Sequence, residues 1–184
     1  MHHDELWQLY RRNGEAIPGA GWKSSRDNPY GEDDEIVGVA IVFLFRRLQN
    51  GEIEFLWQER SQKVDRFPGF YDLSAGGHIN LGETVIEAAQ REAREEIGIE
   101  VKPEELLYGF MQPFNKNRFA WLYFVDWTDK PEEFSFNDSE VASVKWVNYK
   151  DMRDFIRDFA KPPLAADKTA FLMVDEWLKM YGYV

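Results

Sequence analysis

The chain has 184 residues, 44% hydrophobic and 16% aromatic, enough to bury a substantial core as one domain over residues 1–184. Its 22 Lys and Arg against 33 Asp and Glu give a formal net charge of −11, which argues against nonspecific binding to a nucleic-acid polymer or an anionic membrane. Cysteine is absent, which excludes disulfides, thiolate metal sites and cysteine nucleophiles together; with no long apolar run and no charged-then-apolar leader, a cytoplasmic setting is the simplest expectation.

Glu5–Tyr10 alternates into the turn signal Asn13-Gly14 and Ala16–Trp22 returns, which predicts an N-terminal hairpin over residues 5–22. Arg26–Glu35 reads as a polar loop. Ile36–Arg47 is a long apolar run, followed by Gln49-Asn50-Gly51-Glu52 and then Ile53–Arg60, a central hairpin of the sheet. Ser61–Gly69 reads as a loop carrying Lys63, Arg66 and Pro68, and Tyr71–Ser74 leads into the glycine-rich approach Ser74-Ala75-Gly76-Gly77. Thr84 followed three residues later by Glu87 is a capping box, and Gly98 stands where a left-handed cap is wanted, so the spacing predicts one helix over 84–97. Ile86, Ala89, Ala93 and Ile97 form the stripe expected to face the core.

Beyond that helix, Glu105–Phe114, Phe119–Thr128 and Val141–Val147 read as strands, and 150–160 and 166–180 as helices separated by Pro162-Pro163. Strand pairs bracketing a single crossover helix, with further helices at the end, predict an α/β (α+β) fold: an α/β/α sandwich around a mixed sheet.

The chemistry concentrates on the helix after the glycines. Glu92, Glu95 and Glu96 sit at i, i+3 and i+4, so their carboxylates share one side of the helix beside the apolar stripe. Like charges repel there, and hard oxygen donors at this density suit Mg²⁺ or Mn²⁺, which would neutralise them and bridge to phosphate oxygens. Arg91 lies four residues from both Glu87 and Glu95 and can hold the cluster in shape by charge-assisted hydrogen bonds. Ordinary surface ion pairs, each worth about 0.3–0.5 kcal/mol, are the alternative. The glycines favour the metal reading, because they let a backbone carbonyl approach an ion that the glutamates surround.

From Gly77 to Ile99 the chain follows G-x5-E-x7-R-E-U-x-E-E-x-G-U, U being apolar, with Gly77, Glu83, Arg91, Glu92, Ala93, Glu95, Glu96, Gly98 and Ile99 all in place. This is the Nudix box, over residues 77–99, and the chain resembles a Nudix hydrolase. The resemblance implies the α/β/α Nudix fold and a Mg²⁺- or Mn²⁺-dependent enzyme cleaving a diphosphate linkage in a nucleoside diphosphate derivative or another organic diphosphate. It implies metal ligation by Glu92, Glu95, Glu96 and the Gly76 carbonyl, and places Glu83 in support or on metal through water. Glu92 is the usual general base by that resemblance, with Glu140 a second candidate. Arg60, Lys63 and Arg66 lie on the approach, where cations could take the second phosphate, Arg60 being the best of the three. His78 stands either on the substrate or metal or in a structural hydrogen bond. The expected partner is a small-molecule diphosphate, and a homodimer is left open.

Outside the box the chain resembles the type I isopentenyl-diphosphate isomerases and their hydrolase-like relatives. The shared features are the opening hairpin, Arg60-Ser61 through Phe67-Pro68-Gly69, Gly77-His78, and Asn137-Asp138-Ser139-Glu140-Val141 leading to Trp146. The residues that the resemblance requires for isomerisation are absent. Gly76 takes the Cys position, Ile36-Val37-Gly38 stands where His belongs, and the E-x-E position falls near Arg118-Phe119-Ala120. Isomerisation of an unactivated alkene needs a positioned acid and base on opposite faces, so a hydrolase is expected, with the isomerase and a noncatalytic protein that senses a nucleotide sugar or ADP-ribose as the alternatives.

Overall fold

Ile36–Arg47 forms the longest strand, β3, and its first ten residues are buried without alternation, the mark of a central strand covered on both faces. The computed structural model describes residues 6–22, 36–65, 67–115, 118–136, 139–152 and 168–183. Among them run β1 (Trp7–Tyr10), β2 (Ala16–Trp22), β3, β4 (Ile53–Arg60), β5 (Tyr71–Asp72) and β6 (Ala75–His78). Helix α1 (Val85–Ile97), β7 (Leu107–Asn115), β8 (Arg118–Asp126), β9 (Val141–Asn148) and helix α2 (Lys168–Met180) follow. The hairpins β1–β2 and β3–β4 and the three later strands match the expected segments to within two residues. The loop expected at Arg26–Glu35 lies outside the described residues, as does most of the helix expected at 150–160; a 3-10 turn at Tyr149–Asp151 overlaps its start.

The sheet is mixed. β8 runs parallel to β3 from Val37↔Arg118 to Phe45↔Asp126, and β7 is antiparallel to β8. The remaining partners of β3 are antiparallel and come in succession: β1 at Ile36 and Val37, β6 from Val39 to Val42, and β4 from Phe45 to Arg47. β4 therefore leaves β3 after a short pairing and continues against β5 and β9. β6 fills the space this opens. The strand β6 was not expected from sequence, because Ala-Gly-Gly-His has little strand propensity; its ladder with β3 is a tertiary effect.

Alternate residues of β3 serve two cores. Ala40, Val42 and Leu44 pack with Ala88, Ala89, Ala93 and Ile97 of α1, while Val39, Ile41, Phe43 and Phe45 pack with Val174, Trp177 and Leu178 of α2. The helices thus cover opposite faces of the sheet, as the sandwich requires. Helix α1 has the expected termini: Thr84 accepts from the Glu87 amide, Glu87 accepts from the Thr84 amide, and Gly98 is left-handed at φ 71°. Its core face differs from the expected stripe. Ile86 is exposed, and Ala88 is buried in its place together with Glu92 and Glu96.

Candidate active site

The site is built where β3 and β4 part. Ser74 Oγ bridges the two strands, accepting from the Leu44 amide at 2.9 Å and donating to the Leu56 carbonyl at 2.6 Å. Immediately beyond, the Glu96 carboxylate of α1 reaches into the gap, accepting from the Gly76 amide of β6 at 2.8 Å and from Gln58 Nε2 of β4 at 3.2 Å. Glu96 and Gln58 are both buried. Sequence reasoning missed Gln58, although a glutamine two residues past the apolar centre of a buried strand is a signal that could have found it.

One turn earlier, Glu92 lies against Gly77. A methyl group built on Gly77 would stand 2.3 Å from Glu92 Oε1, so the glycine is what makes room for the carboxylate beside the strand. Burial pushes Glu92 up to about 7, against the pull of Arg91, and the charges of Glu95 and Glu140 add to the rise. The chain therefore brings Glu140, from just before β9, into the field of the helix cluster, which its distance in sequence did not guarantee. The Glu140 carbonyl accepts from the Ser61 amide at 2.7 Å, fixing that loop to the end of β4.

Arg91 holds this group together. Its Nε and Nη2 donate to the two oxygens of Glu83 at 2.9 and 3.0 Å, a bidentate pair, and Nη2 also donates to the His78 carbonyl at 2.8 Å. Nη1 donates to Glu92 at 2.5 Å and to Glu95 at 3.3 Å. Burial works against the guanidinium charge, but the bonds from Glu83 and Glu92 outweigh it and raise the pKa further. The expected pairing with Glu87 does not form: that carboxylate is turned to the helix cap, where Thr84 donates both its amide and its hydroxyl. A local cap partner competes successfully with a cation one turn away.

Other sequence-expected residues lie further out. His78 sits on β6 with its ring stacked on Trp7, centroids 3.5 Å apart and planes 3° off parallel, so the N-terminal hairpin meets the site through this ring. Arg60 lies 3.9 Å from Asp72. Lys63 is exposed, on a turn where its amide donates to Ser61 Oγ at 3.2 Å. Arg66 falls outside the described residues.

The donor set suits a hard divalent cation. It consists of hard carboxylate oxygens, and the buried Glu92 feels both Glu95 and Glu140. Among the described residues no trio of His, Asp or Glu is already gathered in ligating geometry. The carboxylates are turned to Arg91, Gln58 and the Gly76 amide, partners a cation would have to share or replace.

Residues 35–168 match the NUDIX domain family. Nudix hydrolase 3 of Arabidopsis thaliana is 30% identical over 156 residues, 77% of this chain but only 20% of that longer protein. An uncharacterised Nudix hydrolase of Listeria innocua is 28% identical over 78% of this chain and 79% of its own length. The fold matches the crystal structure of DR0079 from Deinococcus radiodurans with a TM-score of 0.65 at 23% identity, over 93% of this chain and 98% of that one. With the glycine approach, the capped helix and its clustered glutamates all inside the matched span, the chain belongs to the NUDIX family, among relatives named as hydrolases.

Proposed function

We propose that the chain is a Mg²⁺- or Mn²⁺-dependent hydrolase that cleaves the diphosphate linkage of a nucleoside diphosphate derivative or a similar organic diphosphate. The observation that carries this reading is the buried Glu92, held against the backbone of Gly77 within the field of Glu95 and Glu140. Glu92, Glu95, Glu96 and the Gly76 carbonyl would hold the cation, with Glu83 reaching it through water. When bound, a divalent cation would offset the cluster's negative charge, acidify the attacking water and stabilise charge on the phosphoryl oxygens.

The chain's own groups do the rest. Arg91 fixes the Glu92 and Glu95 oxygens relative to Glu83, and Gln58 fixes Glu96. A carboxylate takes the proton of the attacking water: Glu92, the usual choice by the family resemblance, or Glu140, whose charge acts on Glu92. Arg60 stands at the end of β4, where it can meet the second phosphate, with Lys63 following on the exposed turn. The test is release of phosphate or nucleotide from a panel of organic diphosphates with Mg²⁺, with Mn²⁺ and with chelator. Cation-dependent turnover that Glu92→Gln abolishes supports the reading, and no cation-dependent release across the panel sinks it.

Resemblance across much of the chain also favours the isopentenyl-diphosphate isomerase branch. The sheet register sets the three deficient positions side by side: Gly38 pairs with Phe119, Val39 with both Ala120 and His78, and Ile41 with Gly76. These places hold glycine and apolar side chains, with Arg118 at their edge, so no acid–base pair spans the site from them. The protein should convert no isopentenyl diphosphate to dimethylallyl diphosphate, and Gly76→Cys alone should not confer conversion; product from the unmodified chain would make this an isomerase.

A further inference from the structure

We propose that Gln8 is a positioning residue for the carboxylate cluster, linking the N-terminal hairpin to the turn that carries Glu83; the functional meaning of this link rests on the hydrolase reading above. Gln8 is buried in β1, and its amide is used at both ends. Nε2 donates to the carbonyls of Ile17 at 2.8 Å and Leu9 at 2.9 Å, and more weakly to Ala20 at 3.3 Å, while Oε1 accepts from the Gly82 amide at 3.2 Å. One side chain thus ties β1 and β2 to the residue just before Glu83. The backbone follows the same path: the Gln8 amide donates to Ile79, the Leu81 amide to Leu6, and Trp7 forms a bridge with Asn80.

The turn so held delivers Glu83. Gly82 takes φ +83°, the Glu83 amide donates to the Asn80 carbonyl, and the Asn80 amide donates to Glu83 Oε2 at 2.9 Å. Both Glu83 oxygens then hold Arg91, which holds Glu92 and Glu95. From Gln8 the path runs by a hydrogen bond to the Gly82 amide, along the backbone to Glu83, and by hydrogen bonds through Arg91 to Glu92. A residue that only stapled the hairpin would change stability and leave the far end of this path untouched.

The test compares the full chain with Gln8→Met, Glu83→Gln and the double variant. Two quantities are read: solvent exchange of the Arg91 Nε–H by NMR in the metal-free protein, and Mn²⁺ affinity by EPR titration. Gln8→Met should speed the Arg91 exchange and weaken Mn²⁺ binding, each by a factor of about 3–10, the scale of one buried amide bond lost. The Phe43 and Phe124 amides in the central strands should keep their protection. Adding Glu83→Gln to Gln8→Met should bring no further loss beyond Glu83→Gln alone, since both act through one path. Unchanged Arg91 exchange in folded Gln8→Met, or strictly additive effects, overturns the proposal. If Gln8→Met does not fold, Gln8→Asn keeps the amide but is too short to span both partners, and the same criteria apply. Failure of the unmodified protein to bind Mn²⁺ would count against the hydrolase reading, whereas the exchange measurement would still decide the role of Gln8.

Discussion

Glu92 Oε1 occupies the space where a side chain on Gly77 would begin, 2.3 Å from the position of the missing Cβ. Arg91 grips the same oxygen at 2.5 Å, so the carboxylate cannot swing away without breaking a charged bond. Gly77→Ala should therefore displace Glu92, lowering turnover at least tenfold while far-ultraviolet circular dichroism stays unchanged. An alanine variant with normal turnover and normal cation dependence would show that the position of Glu92 is immaterial.

The pH dependence of the metal-free protein follows from the same residue. Folding raises Glu92 from 4.5 to about 7, so between those values the folded chain holds a proton that the unfolded chain has released. Stability from this group is complete below the unfolded pKa and falls as pH rises through the window to the folded one. Urea unfolding of the chelator-treated protein should show a midpoint that drops from about pH 5 to about pH 7.5, and Glu92→Gln should flatten that drop. An equal slope in both proteins would mean that Glu92 does not titrate in this window.

Glu95 and Glu96 should differ sharply despite being neighbours. Glu95 is partly exposed, whereas Glu96 is buried and accepts from Gly76 and Gln58. Both substitutions to Gln should lower turnover by orders of magnitude. Glu95→Gln should leave the thermal midpoint unchanged or slightly raised by relief of repulsion, while Glu96→Gln should cost about 1–3 kcal/mol through a mismatched buried hydrogen bond. Near-normal cation-dependent activity in either variant would remove that residue from the proposed cation site.

Arg91→Lys keeps the charge and loses the planar donors that hold Glu83 through two bonds and Glu92, Glu95 and His78 at the same time. The variant should need more Mg²⁺ for half-maximal rate and turn over more slowly, with KM at saturating cation changed comparatively little. Kinetics at several Mg²⁺ concentrations distinguish this from direct substrate contact, for which KM would rise and turnover would be kept.

Patterns written in short stretches were legible in the sequence by itself. The continuous apolar run of Ile36–Arg47, the alternation around Asn13-Gly14, and the capping box with Gly98 depend on local periodicity and backbone preference, and these elements formed where they were expected. The spacing of Glu92, Glu95 and Glu96 likewise placed three carboxylates on one helix side, and the box motif pointed to the family that residues 35–168 match. Only the tertiary structure decided what each carboxylate meets. Gly77 became the seat of Glu92 because β6 is drawn into the gap left by β4, and Gln58 became the partner of Glu96 because β4 turns aside there. Ile86 was left exposed although it fits the helical period, because the face of α1 that meets β3 and β6 is set by how closely small alanines let the helix approach. Arg91 chose Glu83 over Glu87 for a similar reason: a cap consumes a carboxylate locally, while the turn carrying Glu83 is delivered by pairing with a strand more than seventy residues earlier in the chain. Local preference acts within a few residues, but burial and long-range hydrogen bonding depend on which strands become neighbours.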